Sequence, residues 1–145
     1  MHTSPRRMQR EFAERTFACG NVNPMLACPF CQPQEMIVAE NEVALAIADK
    51  HPISLGHCLV IPRRHVSSIF DLPSEEYMGC LHLVRTLKNL VSARHSPAGF
   101  NLAVNDGKAA GQTVEHAHIH LVPRYEGDLL NPSDLRMKLP GLRST

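Results

Sequence analysis

Along this chain the spacing of hydrophobic positions changes period several times, and each change marks an element. Ile37-Val38-Ala39 and Val43-Ala44-Leu45-Ala46-Ile47-Ala48 are short apolar runs separated by Glu40-Asn41-Glu42. Their lengths and the polar break predict a β-hairpin. Asp49 closes the second strand, and Lys50 to Gly56 form a loop. His57-Cys58-Leu59-Val60-Ile61-Pro62 is a third strand, stopped by Pro62 because a prolyl nitrogen cannot donate to a ladder. From Asp71 the period lengthens. Tyr77, Leu81, Val84, Leu87 and Val91 recur at intervals of three and four, the stripe of an amphipathic helix that runs to about Arg94. Asp71 or Ser74 suits its cap, with Glu75 and Glu76 in the first turn. Arg85, Lys88 and Arg94 lie toward the end where the helix dipole favours cations. Pro97-Ala98-Gly99 ends the helix. Phe100, Leu102 and Val104 then alternate with Asn101, Ala103 and Asn105, a half-buried strand with two amides on its polar face.

After the turn Asp106-Gly107-Lys108-Ala109-Ala110-Gly111 comes the most informative stretch, Gln112-Thr113-Val114-Glu115-His116-Ala117-His118-Ile119-His120-Leu121-Val122-Pro123-Arg124. In an extended strand His116, His118 and His120 share one face, while Ala117, Ile119 and Leu121 enter the core from the other. Neutral imidazole offers one ring nitrogen as nucleophile or metal ligand and the other as donor. A row of three therefore predicts either a nucleophilic histidine with helpers or a metal site. The plain alternative is an exposed strand face that is histidine-rich by chance. The glycines of the preceding turn permit close backbone approach to an anion, and Gln112 and Thr113 add an amide and a hydroxyl.

Composition narrows the class. The chain has 145 residues, 43% of them hydrophobic and 20% charged, which suits one domain that needs no disulfides to hold its core. A net charge of +1 gives no general reason to expect nucleic acid as a partner, so any attraction for phosphate must be local. Neither a membrane-spanning run nor an apolar signal core is present in the sequence. Five cysteines, an odd number, suit a reducing compartment, and the expected location is cytoplasmic. Residues 1–20 read as a basic arm, with Arg6, Arg7, Arg10 and Arg15 offset by Glu11 and Glu14 and a short helix anchored by Phe12 and Phe17. Residues 21–145 read as the folded domain, whose polar end after Arg124 wraps the core or a partner subunit. Strands, one long helix and further strands make this an α+β fold, an antiparallel sheet of about five strands with the helix on one face.

Cys28-Pro29-Phe30-Cys31 has two chemical readings and one bland one. A redox pair needs a helix that follows promptly, and none does. A zinc knuckle needs two further ligands, with His51, His57, His65 and the triad all available. Two unligated thiols are the third possibility. Asp49, at a strand end, could accept both hydroxyls of a ribose or simply cap a turn. Arg63 and Arg64 could meet a polyphosphate, although surface arginines after a strand are commonplace.

The motif His-φ-His-φ-His-φ-φ, with φ apolar, resembles the signature of the histidine triad (HIT) superfamily. The resemblance extends to Ile47-Ala48-Asp49, to Gly56-His57-Cys58-Leu59-Val60-Ile61-Pro62-Arg63-Arg64-His65, to Asn101–Asn105 with Asp106-Gly107, and to Pro123-Arg124-Tyr125. Together these segments cover about residues 28 to 128. The resemblance implies the HIT-like five-stranded sheet and a symmetric homodimer. It implies a structural Zn²⁺ on Cys28, Cys31, His65 and His116, four protein ligands leaving no open position. It also assigns Asp49 to ribose, and Asn105, Gln112 and Thr113 to phosphate.

The chemistry it implies is attack by a deprotonated nitrogen of His118 on the α-phosphate of a purine nucleotide or dinucleoside polyphosphate. A covalent nucleotidyl-histidine forms and water resolves it. His120 would bond the phosphoryl or leaving oxygen, with Gln112 stabilising the developing charge. A histidine at position 120, where transferase branches carry Gln, points to hydrolysis. Features of dinucleoside polyphosphate hydrolases and of Hint-type enzymes are mixed, and the Hint-like C-terminal tryptophan is absent. A purine nucleoside phosphoramidase and a nucleotide-binding regulatory module without turnover are the alternatives, and a catalytic metal held by all three histidines is a further one.

Overall fold

The computed structural model describes residues 28–128. The expected N-terminal arm with its helix, its boundary with the domain, and the polar C-terminal stretch beyond Asp128 lie outside the described residues. Within them the elements are β1 (Ile37–Glu40), β2 (Ala44–Ala48), β3 (Cys58–Pro62), α1 (Ser74–His95), β4 (Gly99–Ala103) and β5 (Ile119–Arg124). The five strands form one antiparallel sheet in the order β1-β2-β3-β5-β4, with α1 packed on one face. β5 is last in sequence yet sits inside the sheet, between β3 and β4, so the histidine segment is held from both sides.

The hairpin turn is built by one side chain. Asn41 Oδ1 accepts the N–H groups of Val43 (3.0 Å) and Ala44 (2.8 Å), so β2 starts at Ala44, one residue later than its apolar run. The Asn41 amide also donates to the Gly79 carbonyl of α1 at 2.9 Å. There the helix comes very close: a Cβ at Gly79 would overlap Val43 Cγ2. This contact sets the rotation of α1, whose buried stripe is Cys80, Leu83, Val84, Leu87 and Val91. Tyr77 and Leu81, expected on the stripe, pack at its margin. Neither Asp71 nor Ser74 caps the helix. Pro73 occupies the cap position without a side-chain bond, because Ile69–Asp71 forms its own turn of 3-10 helix, capped by Ser68.

Both faces of the inner sheet are covered. Ala44, Ala46, Cys58, Val60, Ala117, Ile119 and Leu121 pack toward α1. Leu45, Ile47, Leu59 and Ile61 form a second cluster on the opposite face, joined by Phe30. Two-sided burial explains why β2 and β3 read as continuous apolar runs rather than as alternation. β4 is an edge strand, and its expected apolar face is covered only in part. Phe100 joins the helix-side core, whereas Leu102 is 52% exposed. Arg63 and Arg64 are engaged in structure: Arg63 bonds Glu40 (2.7 Å) and the Asn41 carbonyl, and Arg64 forks onto both oxygens of Glu76 (2.8 Å each). No described helix is long and apolar enough to cross a membrane.

The Gly79 contact gives a direct test. Gly79→Ala places a methyl group inside Val43, so unfolding free energy should fall by about 1–3 kcal/mol in urea denaturation despite alanine's better helix propensity. A gain in stability would refute the close packing.

Candidate active site and metal centre

The histidines reach one face by a route that periodicity does not reveal. β5 begins at Ile119, so only His120 lies in the ladder. The β3–β5 pairing stops at Val60↔Ile119, and the Pro62 carbonyl accepts from His116 Nε2 at 2.8 Å instead of from a strand amide. Alternation persists through the irregular run, because the Ala117 N–H bonds the Val66 carbonyl at 2.7 Å and its methyl enters the helix-side core. The imidazoles of 116, 118 and 120 therefore remain on the other side.

His118 Nδ1 donates to the carbonyl of His116 at 2.8 Å. The neutral ring then carries its lone pair on Nε2. The ring is only 6% exposed, and burial holds its pKa below the usual 6.5, opposed in part by that hydrogen bond and by Asp49. A nucleophilic nitrogen is thus available at neutral pH.

His120 is set by a residue that sequence reasoning treated only as a strand residue and possible zinc ligand. The Ile53 N–H donates to His57 Nδ1 at 3.0 Å, which places the His57 proton on Nε2. That nitrogen lies 3.0 Å from His120 Nδ1 and 3.3 Å from Asp49 Oδ2. Donation to His120 leaves His120 with its own proton on Nε2. Burial, then His118 and His57, push the His120 pKa down to about 3, and burial lowers His57 as well. The signal for His57 was present: period two puts it on the face of Leu59 and Ile61, which is the triad face.

Asp49, expected at a ribose, has one oxygen on the His51 N–H (2.8 Å) and the other facing His57 and His120. Gln112 is a brace. Its Oε1 accepts from the Gly107 N–H (2.7 Å), and its Nε2 donates to the carbonyls of Ser67 and Val114 (2.9 Å each). Both amide protons are used, so none points to a phosphate in this conformation. Gly107 (φ 91°) and Gly111 (φ 93°) supply the left-handed backbone that the loop requires. Thr113 is exposed on this loop, and Asn105 is half-buried just beyond β4.

Cys28, Cys31, His65 and His116 converge, with ligand atoms all within 4.8 Å of one another. His116 Nδ1 lies 3.3 Å from Cys28 Sγ, 3.6 Å from Cys31 Sγ and 3.2 Å from His65 Nδ1. Ligand atoms around tetrahedral Zn²⁺ sit about 3.3–3.8 Å apart, close to these separations, so this sulfur–nitrogen set suits the ion. Burial, the main cause, brings the His116 pKa down to about 4, and its Nε2–H on Pro62 aims Nδ1 at the sulfurs of Cys28 and Cys31, the second of which is disulfide-bonded here and serves as a ligand only once reduced. The three triad imidazoles do not converge on one point: among the described residues, no candidate metal group contains all of them. Phe30, between the two cysteines in sequence, lies edge-on to His118 with ring centres 5.0 Å apart. Residue pattern alone gave no signal for that contact.

The HIT domain model matches residues 32–127, well over half the chain. This chain belongs to the HIT domain family. The HIT-domain protein is 36% identical over 103 residues to a bis(5'-adenosyl)-triphosphatase of Dictyostelium discoideum, covering 71% of this chain and 69% of that one. It is 37% identical over 95 residues to the adenylylsulfatase HINT3 of Arabidopsis thaliana, covering 66% of this chain and 48% of that one. A Zn-bound histidine triad family protein from Mycobacterium smegmatis has the same fold, with TM-score 0.66 and 37% identity over 74% of this chain and 81% of its own.

The buried neutral histidines set a pH dependence. His57, His118 and His120 have folded pKa values below that of the unfolded chain, so the unfolded state binds more protons once pH drops under about 6.5. Their contribution is intact above that value and is lost progressively as pH falls below it, down to about pH 3 for His120. Urea titrations at pH 7.5, 6.0 and 5.0 should show falling stability, with a shallower fall in His120→Asn.

Proposed function

We propose that this HIT-domain protein is a nucleotide hydrolase acting at the α-phosphate of (di)nucleoside polyphosphates through a covalent nucleotidyl-histidine. The observation that carries this reading is the 2.8 Å bond from His118 Nδ1 to the His116 carbonyl, which leaves the lone pair on Nε2. In the first step Nε2 bonds to phosphorus, and the bond to the leaving oxygen breaks with its electron pair on that oxygen. His120 Nε2–H donates a hydrogen bond to the departing oxygen, and His57 holds His120 in that tautomer. In the second step water bonds to phosphorus, the phosphorus–nitrogen bond breaks, and the neutral imidazole returns as the water's proton goes to solvent.

Thr113 and Asn105 contact the non-bridging oxygens in this scheme, with Gln112 holding their loop. Asp49 meets the ribose, and Phe30 with the apolar cluster beside it offers a wall for a purine. Cys28, Cys31, His65 and His116 would hold a structural zinc, which supplies rigidity and no open coordination site. The exposed edge of β4, with Leu102, suits pairing to a second copy in a homodimer.

His118→Ala should reduce turnover of diadenosine triphosphate by at least about 1,000-fold while circular dichroism and metal content stay unchanged. Denaturing mass spectrometry of a quenched single turnover should locate one adenylate on His118. Turnover that survives His118→Ala would sink the proposal. Elemental analysis should find about one zinc per chain, with its loss in Cys28→Ala.

A further inference from the structure

Arg124 is left unexplained by the chemistry above. It ends β5, two positions past Val122 and four past His120, so alternation puts it on the triad face. Its side chain is only 13% exposed, and the buried Nε has no hydrogen-bond partner. The nearest carboxylate oxygen, Asp128 Oδ2, stands 3.7 Å away and already accepts the Tyr125 N–H at 3.1 Å. Arg124 thus keeps its charge with one buried N–H unbonded and only a long ion pair to Asp128, which leaves that donor able to take a second, better-placed acceptor.

Space for such an anion lies alongside. Gly99 is the cross-strand partner of Arg124, and a Cβ built there meets nothing within 4 Å. Asn101 pairs with Val122 and Ala103 with His120. Because Phe100 packs toward the helix-side core, Gly99, Asn101 and Ala103 share the triad face. A glycine, an amide and a methyl group thus floor a track from His120 to Arg124, about 13 Å between strand positions. The strand end is held firmly for this purpose. Ser54 Oγ donates to the Pro123 carbonyl (2.5 Å), Tyr125 Oη to the Leu55 carbonyl (2.6 Å), and the Ala98 N–H to the Arg124 carbonyl (2.8 Å). The guanidinium is also close enough to His57 to disfavour its protonation.

We infer that Arg124 binds a phosphate on the leaving half of the substrate, beyond the phosphorus that His118 attacks, and so selects polyphosphate substrates over those with uncharged leaving groups. This rests on the hydrolase reading for the identity of the substrate, though not for the existence of the anion site. The site's own test is inorganic pyrophosphate titrated calorimetrically into the wild-type chain and into Arg124→Gln and Arg124→Lys. The selectivity test compares kcat/KM for diadenosine triphosphate with that for an adenosine phosphoramidate whose amine leaving group carries no anion.

Arg124→Gln should weaken pyrophosphate binding and lower kcat/KM for the triphosphate by about 10- to 100-fold, with the phosphoramidate changed less than about threefold. Arg124→Lys should fall between, since it keeps the charge and loses the fork. Equal losses on both substrates, or pyrophosphate binding that ignores Arg124, would overturn the inference. Should Arg124→Gln fail to fold, the ratio of the two substrates in Arg124→Lys decides, and an unchanged ratio refutes it. Pyrophosphate binding that depends on Arg124 in a chain that turns over neither substrate would uphold the anion site and refute the hydrolase.

Discussion

A single backbone carbonyl, that of His116, sets the tautomer of His118 and ties the triad together. It accepts the Nδ1 proton of His118 and so decides which ring nitrogen carries the lone pair. The same residue's imidazole bonds the Pro62 carbonyl through one nitrogen and faces Cys28, Cys31 and His65 with the other. His116 therefore joins the end of β3, the candidate metal centre and His118 through contacts of a few ångströms. Phe30, carried between the two cysteines, lies edge-on to the His118 ring and so links it to the candidate metal centre.

Burial is the second constraint, and it acts in the same direction. Four imidazoles crowd one face, those of His57, His116, His118 and His120, and any two charged together would repel. Low exposure keeps them neutral, so each can give one nitrogen and accept at the other. The chain of bonds from the Ile53 amide through His57 to His120 exists only because each ring holds one proton. A more open site would let solvent protonate these rings and would scramble the donor pattern. The second apolar cluster, Leu45, Ile47, Leu59 and Ile61 with Phe30, supplies that dry surrounding.

The helix, by contrast, positions the site from behind. Ala117, Ile119 and Leu121 anchor the histidine segment in the helix-side core, so the strand cannot slip by one residue without burying imidazoles there. The Gly79–Val43 approach and the Asn41 bonds fix the hairpin against the same helix. Loop bracing by Gln112 and by Asp106, which bonds Ser68 Oγ at 3.0 Å and the Ile69 N–H at 3.1 Å, holds the approach to the histidines.

Apolar runs and local periodicity together located the helix and the five strands and put the three imidazoles on one face, although His116 and His118 precede the ladder. The HIT resemblance also selected His65 and His116 out of several candidates as companions to the cysteines, and the structure brings those four together. What the amino-acid order could not express was the partnership of His57 with His120, the contact of Phe30 with His118, or the use of Gln112 as a brace. Nor could it show that Arg124 is buried beside an open glycine. These join residues as much as about 90 positions apart, as in the contact of Phe30 with His118. Pairs so distant meet only when the sheet order β1-β2-β3-β5-β4 inserts the last strand beside the third. Sequence pattern determined which side each residue faces; tertiary structure decided which residues across the sheet it meets, because tautomer, burial and pKa depend on neighbours in space.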